Sequence, residues 1–201
     1  MRNEWYADKR DLIKWAILYH VAELFKVKRI LQIAFYRPSK FEQIEIDSQI
    51  KDMPQDVISH FRNINNIRKM KFNGSIEVFN LVFKDRKVYM KSVIKRLAQY
   101  QKEKLIVFLD PDTGLQPIPT KAKTKPKPEH VLEKEAKEVF GRLKLGDVFV
   151  FYQHQTNRAG KEWVNPKKDQ LSKAIDLEVS LVKHARGLKT KDVAFFYIQK
   201  K

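Results

Sequence analysis

The chain has 201 residues, and its 41 Lys and Arg against 24 Asp and Glu give a formal net charge of +17. Hydrophobic residues at 43% and aromatics at 11% can build a packed core, which excludes a wholly disordered chain despite 32% charged residues. No apolar run approaches the length needed to cross a bilayer, and the absence of cysteine excludes disulfides, thiolate metal sites and a cysteine nucleophile.

In chain order, Asp8 to Phe25 carries apolar residues on more than one face and predicts a largely buried helix. Arg29 to Tyr36, RILQIAFY, predicts a strand that stops at Arg37-Pro38-Ser39. Pro54 fits a first helical turn, and helical spacing continues to about Met70. Gly74 opens an expected strand, SIEVFNLVF, and Asp85 is an expected N-cap for a basic helix reaching about Lys102. Lys104 to Asp110, KLIVFLD, is an unbroken apolar run of the kind buried on both faces of a parallel sheet. Pro117, Pro119, Pro126 and Pro128, interleaved with Lys121, Lys123, Lys125 and Lys127, predict a mobile basic loop over about 113–128. A helix from about Pro128 to Leu143, the strand DVFVFYQH, a helical pattern from Pro166 to about His184 and a strand at Val193–Ile198 complete the chain. The alternation predicts one α/β domain over residues 1–201 with a doubly wound, mainly parallel sheet.

In such a sheet ligands bind beyond the carboxyl ends of the strands. That rule selects Arg37-Pro38-Ser39, the turn Asp110-Pro111-Asp112-Thr113-Gly114, and Tyr152-Gln153-His154. Two carboxylates one residue apart, Asp110 and Asp112, are candidate catalytic groups and could share a divalent metal, Mg2+ or Mn2+. An aspartate-rich turn can equally serve only as a cap. His154 ends a strand on the same edge and is a candidate acid or base. His20 and His60 read as structural or surface histidines, and His130 and His184 as solvated residues near helix ends.

The stretch Tyr6-Ala7-Asp8-Lys9-Arg10-Asp11-Leu12-Ile13-Lys14-Trp15 resembles the N-terminal signature of the adenine-specific methyltransferases of large-subunit ribosomal RNA. Asp11 and Lys14 match that family's Asp and Lys; Trp15 stands in place of its His and Asp8 in place of its Asn. Asp110-Pro111 matches the start of its Asp-Pro-Pro-Tyr turn. The chain is more closely similar to a bacterial group that combines a Lys-aromatic helix with Asp-Pro-Asp-Asn-Gly and a Tyr-x-His strand end. The resemblance covers the first ~35 residues and the region from about Lys104 to His154. It implies an S-adenosylmethionine-dependent methyltransferase (Rossmann-like) fold. It further implies that Asp8, Asp11, Lys14, Tyr36 and Ser39 lie at a cofactor site, with Asp110 positioning a target amine. Two positions depart from the family. The turn Ala34-Phe35-Tyr36-Arg37-Pro38 has no glycine, and Asp112-Thr113 replaces the pair that supplies an aromatic ring. Asp-Pro-Asp also resembles the Asp-x-Asp turn of the topoisomerase-primase nuclease domain, but Glu77 falls inside its expected strand rather than at its end.

The charge excess points to a polyanion, because each neutralised phosphate releases a counterion. Nucleic acid, DNA or RNA, is the expected partner, with Lys121, Lys123, Lys125 and Lys127 as phosphate contacts; a lysine-rich surface kept for solubility is the competing account. No membrane partner is expected, and the N-terminus Met1-Arg2-Asn3-Glu4-Trp5 has no apolar signal region, so the expected location is cytoplasmic. Methyl transfer to a base amine is the leading expectation. The alternatives are a metal-dependent nuclease using Asp110, Asp112 and His154, and a catalytically degenerate binding module.

Overall fold

A computed structural model describes residues 8–38, 43–61, 63–100, 103–118, 125–155 and 162–201. Helix α1 (Lys9–Phe25) begins where the Asp8 side chain accepts the backbone N–H groups of Arg10 and Asp11, and it ends at Lys26 in the left-handed region. Its buried residues Asp11, Lys14, Trp15, Leu18, Val21 and Ala22 form one stripe. Leu12 and Leu24 are 72% and 61% exposed, so the helix lies on one side of the sheet with its outer face in water rather than buried all round.

Strand β1 (Arg29–Ile33) is followed by the hairpin β2 (Gln43–Ile46) and β3 (Gln49–Asp52), which the sequence pattern does not announce. Asp47 and Ser48, both at positive φ, make its two-residue turn. The expected single helix from Pro54 breaks into α2 (Gln55–Phe61) and a 3-10 helix at Ile64–Lys69, because the Asn63 side chain caps the backbone N–H of Asn65 and starts a new element. Strand β4 (Ser75–Phe79) is shorter than SIEVFNLVF. Helix α3 (Arg86–Leu97) carries the expected Asp85 cap, with Val88 N–H donating at 2.8 Å, and stops before Lys102.

The chain continues through β5 (Ile106–Leu109), β6 (Gly114–Leu115), β7 (His130–Val131), α4 (Glu133–Gly141), β8 (Val148–His154), α5 (Val164–Ala174), β9 (Lys183–Ala185) and β10 (Val193–Gln199). The helical pattern expected to reach His184 ends at Ala174, since His184 sits in β9, an edge strand. His130 is buried within β7 rather than solvated; its Nδ1 lies 2.7 Å from the Thr113 hydroxyl.

The central sheet runs β4-β1-β5-β8-β10-β9; β4, β1, β5 and β8 are parallel, and β10 is antiparallel to both its neighbours. It is a mixed α/β, mostly parallel sheet flanked by helices, compatible with a Rossmann-like fold. Alternate residues of β5 feed two cores. Val107 and Leu109 pack under α3, α4 and α5, while Ile106 and Phe108 pack with α1 and the 3-10 helix. All four are fully buried, as an unbroken apolar strand in a doubly covered sheet must be. The chain leaves β1 for β4 on one side and reaches β5 on the other, so the direction of winding reverses between β1 and β5. Such a reversal is where the general rule for open α/β sheets expects a ligand crevice beyond the strand ends.

The segment after β5 is not a free loop from residue 113. Gly114 and Leu115 pair with His130 and Val131, and the buried Gln153 amide of β8 fixes them. Leu115 N–H donates to Gln153 Oε1 at 2.9 Å, and Gln153 Nε2 donates to the carbonyls of Thr113 and His154 at 3.0 and 2.8 Å. Lys121 and Lys123 lie outside the described residues; Lys125 and Lys127 are exposed. Gly114 has φ +105°, and an added Cβ would come within 2.4 Å of Gln153 Oε1. Gly114→Ala should therefore lose on the order of 2 kcal/mol of stability. Urea unfolding checks this, and an unchanged midpoint would mean that Gln153 does not pack closely against Gly114.

Candidate functional site

The first turns of α1, the ends of β1, β5 and β8, and the turn after β5 meet at the carboxyl edge. Lys14 points from α1 across this edge with its ammonium 2.6 Å from Asp11 Oδ1 and 2.9 Å from Asp110 Oδ2. Gln32 of β1 donates to the same Asp110 oxygen at 2.6 Å, and Asp110 N–H donates to the Ile33 carbonyl at 3.0 Å. Asp110 is thus held by its own backbone, by the neighbouring strand and by α1. Lys14, Asp11, Gln32 and Asp110 are all buried, and the rings of Tyr152 and Phe108 flank the ammonium at 5.4 and 6.0 Å.

Around this cluster lies a cavity of about 300 Å³ lined by Asp8, Arg10, Asp11, Lys14, Asp110 to Thr113, Tyr152 and His154. Arg37 pairs with Asp112. Arg10 donates to Asp192 through Nε at 3.0 Å and Nη2 at 2.5 Å, and His154 Nε2 lies 3.4 Å from the same carboxylate. Among the described residues, the cations Arg10, Lys14 and Arg37 therefore stand against the carboxylates Asp8, Asp11, Asp110, Asp112 and Asp192. Among the described residues, a chain of net charge +17 thus lines this cavity with more acid than base.

The electrostatics follow from one buried cation serving two carboxylates. Burial disfavours the Lys14 charge, but Asp11 and Asp110 outweigh it, so the ammonium holds its proton more tightly than a free lysine. Burial pushes the Asp110 carboxyl above its ordinary range; Lys14 opposes this and Asp11 adds to it. Burial likewise raises the Tyr152 phenol, keeping it neutral. At Asp192 the effect of burial is overcome by Arg10, and the carboxyl lies below its usual range.

No protein-family model and no curated protein matches the chain in sequence.

Of the residues selected by sequence, Asp8, Asp11, Lys14, Asp110, Asp112 and His154 line this cavity. Tyr36 does not; its backbone bridges Val82 instead, and Ser39 lies outside the described residues. Lys125 and Lys127 are on the surface and do not line the cavity. Arg10, Gln32 and Asp192 were not indicated by sequence. Gln32 carries a signal that could have found it: a polar side chain within a strand otherwise buried on both faces. The Arg10–Asp192 pair spans nearly the whole chain and has none.

Among the described residues no group of three or more His, Asp or Glu is placed to hold a metal ion. Asp110 is engaged by Lys14 and Gln32, and Asp112 by Arg37.

Replacing Lys14 by Met leaves Asp11 and Asp110 buried without their cation, which should cost roughly 3–5 kcal/mol at neutral pH. Burial already holds the Asp110 carboxyl above its unfolded value, and without Lys14, which opposes this, it lies higher still. The penalty is then full above that folded pKa and is relieved as pH falls through it. The Tm gap between Lys14→Met and the parent should accordingly narrow between pH 7 and pH 4. A gap that stays constant would show that the carboxylates are not buried as charges.

Proposed function

We propose that this protein is a nucleic-acid base-modifying enzyme that transfers a methyl group from S-adenosylmethionine to a base amine. The observation that carries the reading is the meeting of Asp11 and Lys14 with Asp110, 96 positions away from Lys14, in one buried cluster. These are the residues through which two separate stretches of the chain resemble the ribosomal RNA adenine methyltransferases.

The residues fit the cofactor in charge. S-adenosylmethionine supplies an electrophilic methyl group and carries a sulfonium and an ammonium against a single carboxylate, and a cavity whose described carboxylates outnumber its cations favours a ligand of net positive charge. Asp8 and Asp11 are the groups that would face the cationic ligand. Both donors to Asp110 use Oδ2, so Oδ1 is the oxygen that a ligand in the cavity meets, and no donor to it is present among the described residues. It would accept a hydrogen bond from a base amine and orient the nitrogen lone pair away from it. With its pKa raised by burial, Asp110 is suited to take up the proton that the amine sheds. The ring absent from the turn is available from the next strand, since Tyr152 lines the cavity beside Asp110 and could stack on a flipped base.

The divalent-metal alternative fits these residues less well. A divalent ion held by Asp110 and Asp112 would stand beside the Lys14 and Arg37 cations that these carboxylates already pair with, at the cost of like-charge repulsion in a buried site. The division of charge also suits a base substrate. Phosphates are drawn to the basic surface and disfavoured in the acidic cavity, so a nucleic acid would offer the cavity a base and leave its backbone outside.

Calorimetric titration with S-adenosylmethionine should show saturable binding that weakens about tenfold in Asp11→Asn, a loss of ~1.4 kcal/mol. Asp110→Asn should keep donor binding within a few-fold. It should lose at least ~100-fold of methyl transfer to RNA or DNA, followed with isotope-labelled donor. No binding heat at millimolar donor, or full transfer activity in Asp110→Asn, would overturn the proposal.

A further inference from the structure

Helix α3 carries a row of lysines that the core does not explain. Lys87, Lys91 and Lys95 are exposed and four residues apart, which repeats a positive charge about every 6 Å along the helix axis. Lys84 extends the row ahead of the first turn and is also exposed. Like charges at this spacing oppose helix formation. Nothing on the helix offsets them. Its only acidic neighbour, Asp85, serves as the cap, and its arginines turn inward, Arg86 to Glu135 at 2.6 Å and Arg96 to Glu77 at 2.5 Å. Among the described residues no ion pair is made by Lys84, Lys87, Lys91 or Lys95. Two exposed lysines on other helices are paired, Lys137 of α4 at 2.6 Å from Asp176 and Lys173 of α5 at 2.7 Å from Asp169.

A second observation ties the row to the carboxyl edge. Because α3 follows β4, its first turn lies at that edge. There Arg86 donates to the carbonyls of Lys127 and His130 at 2.8 and 3.1 Å. The exposed Lys125 and Lys127 are thereby held next to the start of the row. Exposed lysines thus run from Lys125 and Lys127 at the carboxyl edge of the sheet to Lys95 along the outer face of α3.

We propose that this strip holds the phosphate backbone of the nucleic acid, an assignment that rests on the base-modification reading for why a nucleic acid is bound at all. A polyphosphate fits by charge complementarity and by repeat, since phosphates follow one another along a strand on a scale similar to the lysines. An anionic membrane fits less well. Tyr89, Met90, Val93 and Leu97 of α3 are buried in the core, and Val88, 62% exposed, stands alone among the lysines, so the helix has no continuous apolar face to insert beside them.

The test compares two triple variants with equal charge change. Lys87→Gln, Lys91→Gln and Lys95→Gln removes the row; Gln is a good helix former and relieves repulsion, so Tm should hold or rise. Lys137→Gln, Lys173→Gln and Lys189→Gln is the control. Binding of a fluorescein-labelled 20-nucleotide single strand and of the matching duplex is measured from low to moderate salt. The row variant should bind at least ~10-fold more weakly, and its slope of log affinity against log salt should shrink by about 2 for the single strand and about 3 for the duplex. The control should change by less than ~3-fold. Equal losses in both variants would overturn the assignment, because net charge alone would then govern binding. So would an unchanged row variant, undetectable binding by the parent, or a row variant that loses only its binding to phosphatidylserine vesicles. Calorimetry with S-adenosylmethionine separates the two proposals. A parent that binds no donor, yet loses oligonucleotide binding when the row is removed, keeps the strip and discards methyl transfer.

Discussion

The arrangement at the carboxyl edge depends on one buried ammonium. Lys14 is 4% exposed, and taking a charge that far from water costs several kcal/mol before any partner is counted. Asp11 and Asp110 make the burial tolerable, and the pairing constrains everything attached to them. Asp11 fixes the ammonium from its own helix, while Asp110 fixes the height of α1 against β5. Gln32, bonded to the same oxygen, brings β1 into the same constraint. A leucine or methionine in place of each ion would pack this edge with no less stability, as buried ion pairs compared with apolar replacements generally show. What the ions supply instead is a fixed carboxylate at a strand end and a local charge that an apolar cluster could not offer.

That local charge gives the molecule two electrostatic regions of opposite sense. The surface is dominated by lysine, and the cavity by carboxylates. The arginines near the cavity do not reverse this, because Arg10 and Arg37 are committed to Asp192 and Asp112. Long-range attraction of a polyanion is then governed by the surface, where screening is strong and salt-dependent, whereas discrimination inside the cavity is governed by short-range contacts that salt affects little. Under the base-modification proposal, a polyanion would be drawn to the surface while its phosphates stay outside the site that takes one of its bases.

The sequence discloses the parts of this design that local pattern controls. The buried run of β5, the Asp85 cap and the strand ending at His154 are short-range features, and each appears where the spacing predicts it. Asp11, Lys14 and Asp110 were selected by motif and by the strand-end rule, and they meet. Less legible are the features set by contacts distant in the chain. Gly114 looks like an ordinary turn residue, but its role comes from Gln153 on a strand that follows much later. Propensity also fails where a competing local bond exists, as when the Asn63 side chain divides one expected helix into two elements. Helical spacing beyond Ala174 gives way because the segment instead supplies β9, an edge strand that pairs with β10.

The turn after β1 explains why the cavity lies on the α1 side of the sheet. A tight turn there is commonly made with glycine, which tolerates positive φ; here Phe35 adopts φ 45°. For a bulky residue this conformation costs on the order of 1–2 kcal/mol, so other contacts must hold it. They are present: Phe35 N–H donates to the buried Tyr89 hydroxyl at 2.9 Å, and its ring packs against Phe83 and Tyr89 with centroids 5.6 and 5.2 Å away. Those contacts belong to the core beneath α3, whereas Ala34, one residue earlier, belongs to the core beneath α1. The aromatic ring therefore fills the α3 side of the edge and leaves a single methyl group on the other. The backbone of the β1 turn is consequently not the cradle of this site. The cavity is walled by side chains from α1, the turn after β5 and the end of β8, so its selectivity resides in Asp11, Lys14, Asp110 and Tyr152.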